Sequence, residues 1–201
     1  MLRFDALPKP VNDLLLSLAP RAELRGFALG GGTSLALRFG HRLSVDLDFF
    51  ATEAFSPNDL LTSLELEVAT VVTQATNSVT VDAGGVKLDF LRHAYPLLEP
   101  VECIDGIALL SLPDLAAMKF NAIANRGSKK DFFDFVGLSA HFSMQEMIGF
   151  FTLKYPSSDA FTVIRSLAWF EDAEEEPDPV SLIGLEWGEV KSLAREAVAS
   201  L

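Results

Sequence analysis

Two aspartates, Asp46 and Asp48, lie two residues apart in a stretch of alternating polar and apolar side chains. Such alternation is typical of a half-buried strand, in which residues two apart project from the same face. Two neighbouring carboxylates repel each other unless a cation neutralises them, and an oxygen-only pair suits Mg²⁺ or Mn²⁺. The spacing therefore predicts a divalent-metal site on one face of a strand, with Val45, Leu47 and Phe49 packed behind it.

A glycine-rich turn precedes this strand and consists of Gly31, Gly32, Thr33 and Ser34. It follows a short apolar segment at 27–29 and opens a segment with helical spacing. Backbone N–H groups at a helix start can face a phosphate, and glycine leaves no side chain in the way. A plain tight turn and a solvent-facing strand are the ordinary alternatives. However, only twelve residues separate Thr33 from Asp46, so one stretch of chain offers phosphate donors and metal ligands together.

The elements that position these residues follow from the spacing of apolar side chains. Short apolar or alternating segments predict strands at 27–29, 43–49, 66–72, 79–81 and 86–91. Helical spacing is found at 11–18, at 35–39, after Ser56, and from Pro113 to the end of the chain. Strands first and helices last predict an α+β fold with a helical C-terminal half. The acidic run at 171–179 is expected to be a solvated loop.

Composition limits the class of protein. The 201 residues carry 16 Lys and Arg against 28 Asp and Glu, a formal charge of −12, and 49% are apolar. The apolar fraction excludes a disordered chain, and the acidic balance argues against extended DNA binding, which needs many cations. One cysteine and three histidines exclude an internal disulfide and a zinc cluster of the usual spacing. With no membrane-length apolar run and no signal-peptide pattern, we expect a cytoplasmic protein without a membrane partner.

A second group of candidate residues lies in the helical half. Lys119 and Arg126 are seven residues apart, which is nearly two helical turns, so they share one helix face with Ala122. Both could reach one triphosphate, Arg as a planar fork and Lys as a point charge. A solvated helix face is the alternative. Further on, the spacing of Ser128 and Asp131 is that of a capping box, which needs no function.

Two segments resemble a known family. GGTSLALRFGHRLSVDLDFF at 31–50 and KFNAIANRGSKKDFFDF at 119–135 are similar to the AbiEii/AbiGii toxin family of nucleotidyltransferases. These are relatives of the MenT toxins within the DNA polymerase β-like superfamily, and the likeness extends over nearly the whole chain. The resemblance implies a nucleotidyltransferase core at 1–110, built on a mixed β-sheet with flanking helices. A helical C-terminal region at 111–201 would pack on that core.

The resemblance also implies an activity and its site. Members of the superfamily transfer NMP from an NTP with Mg²⁺ or Mn²⁺ held by three carboxylates, and Asp89 matches the third beside Asp46 and Asp48. Asp89 alternates with apolar neighbours, as a sheet-face residue should. Residues implied to bind nucleotide are Gly31, Gly32, Thr33, Ser34, Lys119, Arg126, Lys130 and Asp131. The acceptor would be tRNA or a protein hydroxyl, and a cognate antitoxin would be the partner.

Two rival functions stay open at this point. A small-molecule nucleotidyltransferase, of the kind that modifies aminoglycoside antibiotics, would use the same metal site. A non-catalytic nucleotide-binding module would keep the fold without the chemistry. The three intact aspartates favour an enzyme over the second alternative.

Overall fold

The computed structural model describes residues 1–66 and 69–201. Within these residues seven strands form one mixed sheet, in the order β3-β4-β5-β2-β1-β7-β6. The strands are β1 (Phe27–Leu29), β2 (Asp46–Ala51), β3 (Ala69–Ala75), β4 (Ser78–Ala83), β5 (Val86–Arg92), β6 (Glu102–Ile104) and β7 (Ile107–Leu109). The predicted strand at 66–72 includes residues 67 and 68, which lie outside the described residues.

Helices flank the sheet and fill the C-terminal half of the chain. They are α1 (Lys9–Leu18), α2 (Gly31–Phe39), α3 (Pro57–Leu64), α4 (Leu112–Asn125), α5 (Lys129–Ser139), α6 (Met144–Lys154), α7 (Ala160–Leu167), α8 (Glu171–Glu174) and α9 (Trp187–Ala199). Two short 3₁₀ turns, Phe4–Ala6 and Ala22–Leu24, flank α1. The predicted α+β class with a helical C-terminal half is confirmed. No helix of the described part of the chain is both long and apolar enough to cross a membrane.

Local chemistry explains where the helices begin and end. Ser111 caps α4 and Ser143 caps α6, each accepting a hydrogen bond from the backbone N–H three residues on. Helix α2 ends at Gly40, whose φ of 62° lies in the left-handed region that glycine adopts without strain. These signals are readable in the sequence, so the helix boundaries follow from short-range chemistry.

Two apolar clusters hold the layers together. One lies between the sheet and α1 and includes Leu15, Leu47 and Phe90, which are all fully buried. The other lies among the C-terminal helices, where Phe120 and Phe132 are also fully buried. Residues from the N-terminal half, among them Ala28 and Leu35, belong to this second cluster. The division of the chain at residue 110 stays a prediction.

Two local expectations were wrong. Val45 precedes β2 and is 56% exposed, so of the three residues expected behind the strand Leu47 and Phe49 are buried and Val45 is not. The acidic run 171–179 is not simply a solvated loop, because its first residues form α8. Glu174 of α8 accepts hydrogen bonds from the Trp187 indole at 3.0 Å and from Lys191 at 2.6 Å. These contacts come from residues far along the chain, which a local charge pattern does not reveal.

Candidate active site

The floor of the candidate site is formed by β2 and β5, which are parallel neighbours. Their register pairs Asp46 with Lys87, Asp48 with Asp89, and Phe50 with Leu91. Residues two apart on a strand share a face, and all of these side chains line one cleft. The structure therefore brings Asp46, Asp48 and Asp89 together, with Asp48 and Asp89 directly opposite each other. We call these three residues the carboxylate trio.

The start of α2 borders the trio. Gly31 has a φ of 60°, and a Cβ atom at this position would collide with the Asp48 carboxylate. The Gly30 N–H donates to the Asp48 carbonyl oxygen at 2.8 Å, which ties the end of β1 to β2. N–H groups in the first turn of a helix have no intrahelical acceptor. The positive end of the helix dipole therefore lies beside the carboxylate trio.

Thr33 and Ser34 contribute differently from the two glycines. The Thr33 hydroxyl is buried, where it is 2.7 Å from the Ser44 hydroxyl and also contacts the Asp46 carbonyl oxygen. The Ser34 side chain is fully buried, and the Ser34 backbone N–H donates to the Gly30 carbonyl oxygen at 3.2 Å. Thr33 thus anchors β2 to the helix start, and Ser34 presents neither its hydroxyl nor its N–H to the cleft.

The trio carries unbalanced negative charge. Burial and the adjacent Asp89 charge raise the pKa of the Asp48 carboxyl to about 6, against the opposing effect of Lys87. Asp89 accepts hydrogen bonds from the Thr80 hydroxyl and from Lys87 Nζ, each at 2.5 Å. A group of carboxylates that crowd one another in this way binds a cation more strongly than separate carboxylates do.

The chemistry of the trio fits a hard divalent cation. In residues 1–66 and 69–201, however, no three His, Cys, Asp or Glu side chains are arranged to hold a metal ion. Both oxygens of Asp89 are taken by Thr80 and Lys87 in this arrangement. Since 53% of the Lys87 side chain is exposed, a cation held by Asp89 would displace Lys87 into solvent. The donor set, all carboxylate oxygen, is the one that Mg²⁺ and Mn²⁺ prefer.

An ion-pair network lies beneath the cleft. Asp134 accepts from the Arg42 guanidinium at 2.8 and 2.9 Å and from the His41 ring at 2.8 Å. Lys119 Nζ lies 2.7 Å from Asp134 and 2.9 Å from Asp131. Although burial opposes ionisation, these cations hold the pKa values of Asp131 and Asp134 below their usual range. We call Arg42, Lys119, Asp131 and Asp134, with the adjoining His41 and Arg126, the buried ion-pair network.

The cations implied by the second motif therefore have different surroundings. The Lys119 side chain is only 7% exposed and is paired with two carboxylates. Arg126 also pairs with Asp131, but 58% of its side chain is exposed at the mouth of the cleft. Lys130 is 47% exposed, and its Nζ lies 3.6 Å from Asp46 Oδ2. Among these three cations, Arg126 and Lys130 are thus more exposed to a phosphate in the cleft than Lys119 is.

Asp131 is fully buried inside the network and does not line the cleft. The capping box expected at the start of α5 is absent from this part of the described chain. The Ser128 hydroxyl instead donates to Asp131 at 2.7 Å. Asp131 is thus bound to Lys119, Arg126 and Ser128 together, which makes it a positioning residue for the cations.

The cleft has a volume of about 520 Å³ and two chemically different ends. The charged end includes Asp46, Asp48, Lys87, Asp89, Arg126 and Lys130, together with the paired cations Arg42 and Lys119. The aromatic end includes Phe50, Leu91, His93, Leu115, Met118 and Tyr155. The sequence analysis missed Lys87 and the aromatic end. The alternation that identified Asp89 also places Lys87 and Leu91 on the same face. No local signal connects His93 with Tyr155, which is 62 positions away.

The fold and this site define the class of protein: the chain has the nucleotidyltransferase fold. MenT4, a nucleotidyltransferase toxin from Mycobacterium tuberculosis H37Rv, superposes with a TM-score of 0.57 at 13% sequence identity, covering 96% of this chain and 86% of that one. JHP933 from Helicobacter pylori superposes with a TM-score of 0.52 at 16% identity, covering 97% of this chain and 94% of that one.

Sequence comparison then gives the family. The model of the family described as nucleotidyl transferase AbiEii toxin, type IV TA system, matches residues 13–181. The uncharacterized protein aq_aa25 of Aquifex aeolicus (strain VF5) is 36% identical over 177 residues, which cover 85% of this chain and 86% of that protein. The chain belongs to the AbiEii nucleotidyltransferase toxin family, and the resemblance found in its two motifs is confirmed. It is the toxin component of a toxin–antitoxin type of system.

Proposed function

We propose that the protein transfers an NMP group from an NTP to a hydroxyl of tRNA or of a protein, in a reaction that depends on Mg²⁺ or Mn²⁺. The observation that carries this proposal is the pairing of Asp48 with Asp89 across two parallel strands, with Asp46 beside them and the start of α2 at their edge. Family membership makes an NTP the substrate. The acceptor and the metal are the new elements of the proposal.

The residues around the charged end would bind the triphosphate, the divalent cation and the departing pyrophosphate. The N–H groups of Gly31, Gly32 and Thr33 would bind the triphosphate at the positive end of α2. The carboxylate trio would hold the divalent cation, which neutralises the trio and withdraws charge from the phosphate oxygens. Arg126 and Lys130 would bind the departing pyrophosphate from the opposite side of the cleft.

The reaction is an in-line displacement. The acceptor oxygen forms a bond to the α-phosphorus. At the same time the bond between the α-phosphorus and the oxygen that bridges to the β-phosphate breaks, and pyrophosphate leaves. Asp89 would hold the cation through the carboxylate oxygen that Lys87 releases, and the acceptor hydroxyl, made more acidic beside that cation, would lose its proton to solvent. Catalysis of this kind rests on positioning and electrostatic stabilisation, without a covalent enzyme intermediate.

The charge distribution supports an acceptor that is engaged locally. A formal charge of −12 opposes contact with a long stretch of nucleic acid. The exposed cations at the cleft, Arg126, Lys130 and Lys87, are few but lie around one opening. One end of a tRNA or a single protein side chain fits this arrangement better than an extended duplex does.

The proposal is tested by label transfer. Each of the four NTPs, labelled at the α-phosphate, is incubated with Mg²⁺ and with total tRNA, a cell lysate or an aminoglycoside. We expect label on tRNA or on a protein, and at least a 100-fold loss of rate in Asp48→Asn, which keeps the side-chain shape but removes the charge. Asp13→Asn is the matched control, because Asp13 is an exposed carboxylate on α1 that contacts Lys9.

Three results would contradict the proposal. Equal labelling by wild type and Asp48→Asn would remove the enzymatic role of the trio. Label on the aminoglycoside alone would favour the small-molecule alternative. NTP binding without pyrophosphate release on any acceptor would favour the non-catalytic module.

A further inference from the structure

The floor of the cleft changes in character along its length. Reading along β2 and β5, the paired residues pass from Asp46 and Lys87, through Asp48 and Asp89, to Phe50 and Leu91. At about 3.3 Å per strand residue, Asp46 and Phe50 are separated by roughly 13 Å. The wall formed by α4 changes in the same direction, with Arg126 at the charged end and Leu115 and Met118 at the aromatic end. The cleft is therefore a channel with one ionic and one apolar end.

The aromatic end is a built surface of packed rings. His93 lies 6.1 Å from Phe50 and 5.9 Å from Tyr155 between ring centroids, both edge to face. The Tyr155 hydroxyl and His93 Nε2 are 3.2 Å apart and share a hydrogen bond. A Cβ atom at Gly30 would overlap the edge of the Phe50 ring, so close backbone packing fixes that ring in place. Phe50 and His93 remain partly open to the cleft.

The aromatic end is uncharged at neutral pH. Burial, together with the positive charge of Lys154, lowers the pKa of His93 to about 4, against the opposing effect of Asp114. Burial also raises the pKa of the Tyr155 hydroxyl above its usual value. A neutral imidazole, a neutral phenol and a phenyl ring do not attract a phosphate, but they can stack on a flat, uncharged aromatic ligand.

We propose that the aromatic end, lined by Phe50, Leu91, His93, Leu115, Met118 and Tyr155, is the subsite for the nucleobase of the incoming NTP. The inference rests on the proposed function, because the triphosphate must occupy the charged end. A triphosphate bound at the carboxylate trio directs the rest of an extended nucleotide along the channel towards Phe50. The base would then stack on the Phe50 ring, and its polar edge would meet the His93 and Tyr155 pair.

The test compares the four NTPs with ribose 5-triphosphate, which carries the sugar and the phosphates but no base. Affinities for ATP, CTP, GTP and UTP, and for ribose 5-triphosphate, are measured by calorimetry in the presence of Mg²⁺ and without acceptor. For the NTP that binds most tightly, we expect Phe50→Leu to weaken binding by about 5- to 160-fold, the range that loss of base–aromatic stacking produces. Binding of ribose 5-triphosphate should change less than about twofold.

Two further variants test whether the loss of affinity is specific to the aromatic end. Phe55→Leu is the matched control, because Phe55 is a half-buried phenylalanine that packs on Phe27 outside the cleft. It should change neither affinity. His93→Gln keeps a polar side chain but removes the ring, and it should weaken NTP binding alone. Thermal unfolding of each variant shows whether the fold is intact.

The outcomes separate the two proposals. NTP affinity that is unchanged in both Phe50→Leu and His93→Gln would overturn the nucleobase subsite, and so would an equal loss for NTP and ribose 5-triphosphate. If the wild-type protein binds neither ligand, the proposed function itself fails.

Discussion

At the residue scale, the site depends on how closely side chains approach the start of α2. Asp48 lies against Gly31, and the Arg42 guanidinium lies against Gly32 so closely that a Cβ atom there would overlap it. Glycine at these positions lets a carboxylate and a guanidinium reach the helix backbone. The contacts are with residues from β2 and from the loop before it, so the two glycines allow the start of α2 to pack directly against β2 and that loop.

Gly31→Ala should displace the Asp48 carboxylate and lower the transfer rate by at least about 10-fold, besides the cost of about 1–2 kcal/mol for an L-residue at positive φ. Gly84→Ala is the matched control. Its φ of 65° is close to the 60° of Gly31, but no atom lies within 4 Å of the added Cβ. Both variants should lose unfolding free energy in a denaturant titration through the positive φ, with the collision adding to the loss in Gly31→Ala, and only Gly31→Ala should lose activity. Equal activity in the two variants would contradict the account.

At the element scale, the sequence predicts most strands and helices, because their signals are local. The alternation in β5, the glycines that turn β4 into β5, and the serine caps of α4 and α6 are all short-range. The pairing of Lys119 with Asp134 and of His93 with Tyr155 depends on which elements meet in space. No pattern in one stretch of chain carries that information, which is why the carboxylate partners of Lys119 and the aromatic end were not predicted.

The buried ion-pair network joins the loop before β2 to α4 and α5, and its stability is testable. Asp134→Asn leaves Arg42 and Lys119 buried with one carboxylate fewer. It should lower the free energy of unfolding, measured by denaturant titration, by about 3–5 kcal/mol. Asp178→Asn, which removes the 65%-exposed partner of Lys129, should cost no more than about 1 kcal/mol. Equal costs would show that the network adds nothing beyond a surface pair.

The same ion-pair network determines how the free energy of unfolding changes as the pH is lowered. Asp131 and Asp134 have folded-state pKa values below their unfolded values. Their contribution is therefore fully present above the unfolded pKa of about 3.9 and is lost as the pH falls below it. The unfolding free energy of the wild type should fall more steeply below pH 4 than that of Asp134→Asn.

At the scale of the whole molecule, the cleft lies where the sheet meets the helical half. The sheet supplies the carboxylates, α4 and α5 supply the cations, and the apolar clusters on both sides fix the distance between them. The overall charge of −12 adds to the negative field of the trio and favours the approach of a divalent cation. We therefore expect the trio to bind a divalent cation.

Metal binding by the trio can be measured with Mn²⁺, whose free ion is followed by its paramagnetic resonance signal. Wild type should bind Mn²⁺ at pH 7.5 at least about 10-fold more tightly than Asp48→Asn. Binding should weaken below a pH of about 6, because the Asp48 carboxyl then takes up a proton. Asp13→Asn should match the wild type. Equal Mn²⁺ affinity in the wild type and Asp48→Asn would contradict the account.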